Sequence, residues 1–458
     1  MSTHASTTEV LAAFVSGAGY DDIPDDVRTL GRRILVDGIG VGIAGAHAAE
    51  FAPLLRYADG FAGTGAVPSV GGRDLDVSWA ALLAGAAIHV LDYDDVLPEM
   101  GHSAAVLVPV VLSLGHALGS TGRQALTAVT VGAEVGARLG AAMNPAHYGI
   151  GWHPTSVLGT LASAAAAASL LDLSPDETAT ALGLAAAAAS GTKAGFGSLT
   201  KCVQVGGAAR SGIEAALLSR AGATSNRTVL DRQFGGFCDL FSTETDRAEI
   251  TAGLGTEYAL ERQGIRLKFL PCCGSIHSAV YGILAVVDGH DVDPDDIVAV
   301  VTELDPRRLP HTDRPVVRSG LEGKFSVQYC QATAAVNRRL TMADFADEVV
   351  SEPRRQELMT RIELRPATTP LDGGPSTGSR GARVSVTTRR GTTFEEYVAA
   401  PKGAKENPCS DADIEAKFLD CAGVLLDGER ARSLFRGLRD IDGVRDVSTL
   451  VGPVWGRT

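Results

Sequence analysis

The sequence predicts a mainly α-helical protein with an inserted α+β unit. Three observations lead there. Up to about residue 260 the apolar residues recur at helical spacing, in runs rich in Ala and Gly, with almost no β signal. At Gly264 the texture changes to short β-branched and alternating runs. From Ser410 it returns to helix. A chain of 458 residues is too long for one ordinary core. We therefore expect a helical domain built from residues 1–264 and 405–458, and an α+β lid domain from residues 265–404.

Residues 8–46 read as two helices. Ile23-Pro24-Asp25-Asp26 opens the second, with Pro in the first turn and acids near the N-terminus. A Gly-rich loop follows at 60–72, then helices at 79–90, 104–118, 124–143 and 155–171. Ser174 and Glu177 form a capping box for the next helix, and 202–220 is another. Beyond Gly264, strands are expected at 265–269, 297–304, 360–364 and 382–388, the last turning at 389–391 into 392–398. Helices are expected at 275–288 and 325–340, and Ser410 to Asp413 cap the helical tail.

Composition excludes several functions. A net charge of −13 argues against nucleic acid, which needs a basic face. No uninterrupted apolar run reaches the ~20 residues that span a bilayer, so no membrane partner is expected. The first ten residues lack a signal-peptide pattern. None of the seven cysteines forms a Cys-x-x-Cys pair, which argues against a disulfide framework or zinc and fits a reducing cytoplasm.

The chemistry concentrates at residues 91–102, LDYDDVLPEMGH. Asp92, Asp94 and Asp95 follow an apolar helix, where cations rather than anions are favoured. Acids beside His102 at the mouth of a buried helix suit proton transfer; the plainer alternative is a solvated acidic loop. His153 in GWHPT precedes Pro154, whose place in a first helical turn leaves N–H groups open to an anion. Alternatively His153 caps that helix. Tyr148 lies just upstream, as a further acid–base group or an ordinary half-buried tyrosine. Lys201 begins a helix, where a cation is misplaced unless it faces a carboxylate. Lys268 sits at the expected domain junction, where desolvation would suit it as a base. Cys273 is a candidate nucleophile with no obvious activating partner near it in sequence, or a small packing thiol; it and His277 shortly after it are also expected substrate contacts. Ser326 and Tyr329 share a helix face, and Tyr329 is either a ligand donor or a core aromatic.

Six segments in this order resemble the MmgE/PrpD family: LDYDD with His102, GWHPT, LTK, KFLPCC with His277, GKFSVQY, and PKGAKENPCSDADIEAKF. The family includes 2-methylcitrate dehydratase, cis-aconitate decarboxylase and iminodisuccinate epimerase. The resemblance implies a helical domain made from both chain ends, a lid domain and a homodimer. It implies chemistry without metal or cofactor, at a carbon next to a carboxylate of a di- or tricarboxylate. The decarboxylase-type pocket maps onto Asp92, His102, His153, Lys201, Lys268 and Tyr329. Val96 stands where that pocket has Thr, Ser103 where the family usually has Pro, and Cys273 where the decarboxylases have His. These departures imply a substrate other than cis-aconitate. In the epimerase branch, Tyr148 and Lys268 look like an opposed acid and base.

The expected reaction is dehydration of a small hydroxy-polycarboxylate. Lys268 or His102 would take the proton, Asp92 would orient His102, and Lys201 with the helix N-terminus after His153 would stabilise the enediolate. Epimerisation by Tyr148 and Lys268 ranks second. A carboxylate binder without turnover ranks third.

Overall fold

In the computed structural model, residues 5–368, 371 and 381–455 are described. Long helices occupy Thr7–Gly17, Asp25–Ala46, Val77–Val90, Gly122–Met143, Pro154–Leu170, Pro175–Ala188 and Thr200–Arg220. Their starts are written locally. Ser6 with Glu9, Thr121 with Gln124, and Ser174 with Glu177 close capping boxes. Small residues let these helices approach. A Cβ on Gly206 would collide with the Leu82 carbonyl oxygen, so the Thr200–Arg220 and Val77–Val90 helices meet backbone to backbone.

Two expectations fail in this half. Residues 104–118 are not one regular helix: Ser103–Val110 gives way to a π-helical turn at Val111–Gly115 before His116–Leu118. Pro109 lacks an N–H for the helix ladder, and Ser113 Oγ donates 2.6 Å to the Pro109 carbonyl just beyond it. The Gly-rich segment holds an antiparallel hairpin, β1 (Thr64–Pro68) with β2 (Asp74–Leu75). Most of β1 is exposed, so it carried no alternation to read.

The second half holds a four-stranded sheet in the order β4-β3-β5-β6. β3 (Ile297–Leu304) runs parallel to β4 (Ile362–Pro366) and antiparallel to β5 (Ala382–Thr388), which pairs with β6 (Thr393–Val398). Alternate residues of β5 are buried, and the His277–Gly289 helix packs there, with Gly282 against Val384. The expected strand at 265–269 is absent. Arg266 exchanges two 2.8 Å backbone hydrogen bonds with Val96 and the pairing stops. This segment clasps the 92–102 loop instead of joining the sheet.

Buried apolar side chains fall into two clusters. One runs from Leu11 to Leu267 and resumes from Ile414 to Trp455. The other draws on Leu270 to Val386. The tail helices Asp411–Ala422 and Gly428–Arg439 return to the first cluster through Phe418 and Phe435. Lys417 donates to Asp37 at 2.6 Å and to the Tyr93 carbonyl at 2.8 Å, tying the tail to the acidic loop. No single helix among the described residues is long and apolar enough to cross a membrane.

Candidate active site

The Val77–Val90 helix is followed by Leu91 and then by Asp92, whose φ is +50°. Gly or Asn is usual in that left-handed position after a helix, and strain of this kind clusters at functional sites. Both Asp92 and Asp94 are buried. Asp92 Oδ1 accepts hydrogen bonds from Lys201 Nζ at 3.0 Å and Lys268 Nζ at 2.9 Å. Lys268 also donates 2.8 Å to the Asp92 carbonyl. Asp94 Oδ2 lies 2.9 Å from His89 Nδ1, and Asp94 Oδ1 lies 3.2 Å from His102 Nδ1, off the line of a good hydrogen bond. Lys201 Nζ is 2.6 Å from His89 Nε2. A continuous chain therefore runs Asp94, His89, Lys201, Asp92, Lys268, with His102 alongside.

Its electrostatics are mutual. Burial alone would raise the Asp92 carboxyl, but Lys201, Lys268 and His102 hold it well below the usual range. The same holds for Asp94, against burial, through His102 and His89. Burial lowers Lys201, yet Asp92 and Asp94 outweigh it and raise its pKa. Burial pushes His102 down to about 3, opposed by Asp94 and reinforced by Lys268, so this imidazole is neutral near pH 7. His89, Asp92, Asp94 and His102 offer ligand atoms within 4.8 Å of one another. Within this group Asp92 Oδ1 and His89 Nε2 are already engaged by ammonium groups. The set fits an ammonium-compensated cluster better than a metal centre.

Asp95 does different work. Ser103 Oγ and the Ala104 N–H donate to it, so it caps the Ser103–Val110 helix. Burial and the charge of Asp37 push its carboxyl up to about 8. Gly101, at φ +99°, has no room for a Cβ against Thr155, and that closeness lets the His102 N–H reach Thr155 Oγ1 at 3.1 Å.

His153 stands at the start of the Pro154–Leu170 helix. Its Nδ1 lies 2.7 Å from Gln204 Nε2. Gln204 Oε1 accepts the Thr192 N–H at 3.0 Å, and its Nε2 also donates 3.1 Å to the Thr192 carbonyl. The main chain thus sets the amide's orientation, and Gln204 must donate to His153 Nδ1. Burial and Lys201 hold His153 well below its usual pKa, so the ring is neutral with its proton on Nε2.

These groups border a cavity of about 600 Å³. Asp92, His102, Tyr148, His153, Lys201 and Cys273 all line it, as does Val96. Six cationic side chains and only two carboxylates face it. In a chain of net charge −13 this is a positive enclave.

Three expected site residues lie elsewhere. Lys268 is fully buried and stays off the wall, its Nζ donating to two Asp92 oxygens. That posture is a donor's, which counts against the role of base. Tyr329 is fully buried and gives its hydroxyl to the Asp344 carbonyl. His277 is buried in the second cluster with Nε2 3.2 Å from the Cys272 carbonyl. Roles shift as well: Asp94 faces Nδ1 of His102, whereas Asp92 lies 3.6 Å from its Nε2.

Residues 9–249 match the MmgE/PrpD N-terminal domain and 270–438 the MmgE/PrpD C-terminal domain. The chain belongs to the MmgE/PrpD family. It is 30% identical to the cis-aconitate decarboxylase-like protein oryM of Aspergillus oryzae, over 98% of each chain. It is 28% identical to the cis-aconitate decarboxylases of Mus musculus and Homo sapiens, over 97% of this chain and 92% and 94% of theirs.

Within this MmgE/PrpD chain, sequence reasoning missed several participants. His89 was hidden in an apolar helix; the available signal was its place five residues before Asp94. Gln204 sits one turn after Lys201 on the same helix. Lys193 and the stretch Arg307 to Arg314, which supplies Arg308, His311 and Arg314 to the cavity wall, read only as loops.

Proposed function

We propose that this MmgE/PrpD protein is a cofactor-independent lyase that dehydrates a small hydroxy-polycarboxylate. One observation carries the reading: two neutral imidazoles of opposite polarity face a cavity with excess positive charge. His102 directs Nδ1 toward Asp94, which favours a proton there and a lone pair on Nε2. His153 carries its proton on Nε2. Elimination of water needs both polarities.

His102 Nε2 takes the proton α to a carboxylate, and the electron pair moves into that carboxylate as an enediolate. Lys201 and the neighbouring cations stabilise the charge where it develops. The pair then returns to form the C=C bond as the β C–O bond breaks; His153 Nε2–H hydrogen-bonds the departing oxygen, and the proton now on His102 passes to it so that it leaves as water. Both imidazoles end neutral, as they began, and the proton taken from carbon departs in the water.

Decarboxylation is the second reading, supported by the activity named for the relatives. There the C–C bond to a carboxylate breaks, CO₂ leaves and the carbanion takes a proton. An opposed Tyr148–Lys268 pair draws no support from the cavity wall, which lacks Lys268. Incubation with a panel of polycarboxylates in deuterated water, followed by NMR, separates these outcomes. Loss of water with deuterium exchange next to a carboxylate is expected. Release of CO₂ would favour the second reading, and neither consumption nor exchange with any panel member would reject both.

A further inference from the structure

The cavity has two cationic ends divided by aromatic rings. Lys201 and His153 mark one end. His153 is edge-on to Phe196, ring centroids 4.9 Å apart, and Lys201 Nζ is 5.7 Å from the same ring. Beyond it, Phe196 meets His311 at 6.2 Å and Phe325 at 5.5 Å. Lys193, Arg308 and Arg314 gather at that end.

At the inner end every ammonium has a carboxylate. At the outer end, among the described residues, Arg307 pairs with Asp305, but Lys193, Arg308 and Arg314 have no carboxylate at ion-pair distance. Their contacts are neutral. Lys193 Nζ donates 2.7 Å to the Tyr148 carbonyl, Arg308 Nη1 is 3.5 Å from Ser275 Oγ, and Arg314 Nη2 donates 3.1 Å to the Phe196 carbonyl. Arg308 Nε is buried with no partner. His311 Nε2 lies 3.3 Å from the same Ser275 Oγ. Cations crowded together raise one another's energy: burial and Arg308 bring Lys193 down to about 8, and burial with Arg308 and Lys193 brings His311 down to about 3. An anion bound among them relieves that repulsion.

We propose that Lys193, Arg308, His311 and Ser275 form a second carboxylate subsite, with Arg314 completing its positive wall. This deepens the reading given under Proposed function and rests on it. The substrate class then narrows to acids whose carboxylates lie at two separated ends: one at the Lys201 end, where bonds change, and a distal one read by Arg308. The outer group acts on binding and selection, with no part in the proton transfers.

The test is calorimetric binding of citrate, propane-1,2,3-tricarboxylate and acetate, which has a single carboxylate, to the full chain, beside Arg308→Gln and Lys193→Met. Removing one charge-assisted contact is expected to weaken tricarboxylate binding by about tenfold or more and acetate binding far less. Where turnover is measured, KM for the tricarboxylate rises and kcat is nearly unchanged. Unaltered melting temperatures establish that both variants fold; because they sit on separate loops, either suffices. Wild-type binding of tricarboxylates with unchanged affinity in the folded variants overturns the subsite and leaves the lyase reading standing. Failure of the wild type to bind any of the three acids overturns both.

Discussion

The two ends of the cavity treat charge in opposite ways. Around Asp92 the protein supplies both signs, and each carboxylate and ammonium is answered by another side chain. Around Arg308 positive charge is in excess: Asp305 answers Arg307, while among the described residues Lys193, Arg308 and Arg314 have no carboxylate at ion-pair distance. A compensated cluster is rigid and holds its protons at set atoms before any ligand arrives, as catalysis by preorganised groups requires. An uncompensated cluster costs stability in the empty protein and recovers it on binding an anion. On the proposed reading, chemistry and selection occupy different parts of one cavity.

The sharpest way to break the compensated end is Asp94→Asn. Asp94 faces Nδ1 of both His89 and His102, and an amide no longer sets their proton positions. Loss of an imidazole's orienting carboxylate predicts a drop in kcat of about 10⁴, read by steady-state kinetics. Lys268→Met comes next. It leaves the buried Asp92 with one ammonium fewer, and breaking a buried pair costs about 3–5 kcal/mol, measurable by urea unfolding. A variant of wild-type stability but no turnover would instead return Lys268 to the role of base.

Acid sharpens the comparison further. His102, His147 and His311 have folded pKa values pushed down by burial to about 3, 4 and 3. A depressed pKa contributes stability that is present above the unfolded value near 6.5 and lost as pH falls toward the folded one. Each imidazole then weakens the fold by about 1.4 kcal/mol per pH unit at most. Denaturant midpoints measured from pH 7 to pH 4 are expected to fall steeply below about 6.5. In the same window kcat/KM is expected to lack an inflection near 6.5, because His102, the proposed base, stays neutral. The smallest effect belongs to Tyr329→Phe. It removes the bond to the Asp344 carbonyl, costs about 1 kcal/mol of stability and leaves tricarboxylate affinity and kcat unchanged.

What could be read in advance followed the range of the forces involved. Capping boxes at Ser174 and Ser410 are four-residue patterns, and both helices begin there. β3 is a β-branched run and β5 alternates in sequence, and β5 alternates in burial as well. The hairpin at Thr64–Pro68 is mostly exposed and left no such trace. At the site, Asp92, His102, His153 and Lys201 stood out because each breaks a local rule. His89 and Gln204 break none. A histidine in an apolar helix and a glutamine on a polar face gain meaning only when Asp94 and His153 arrive from elsewhere in the chain. Tyr329 and His277 carried the opposite hazard. Their motifs match the family, yet their polar atoms are used inside the second core.

The amide of Gln204 reaches further than its size suggests. Both of its ends are held by Thr192, so it cannot rotate to offer its oxygen to His153 without giving up two main-chain bonds. The residues flanking Thr192 include Lys193, which belongs to the opposite, anion-selecting wall. On the proposed reading, one short peptide run sets the address of the His153 hydrogen and the welcome given to the far end of the substrate. The Thr192 main chain serves the first duty and the Lys193 side chain the second, so the two are neighbours in sequence yet separable by substitution.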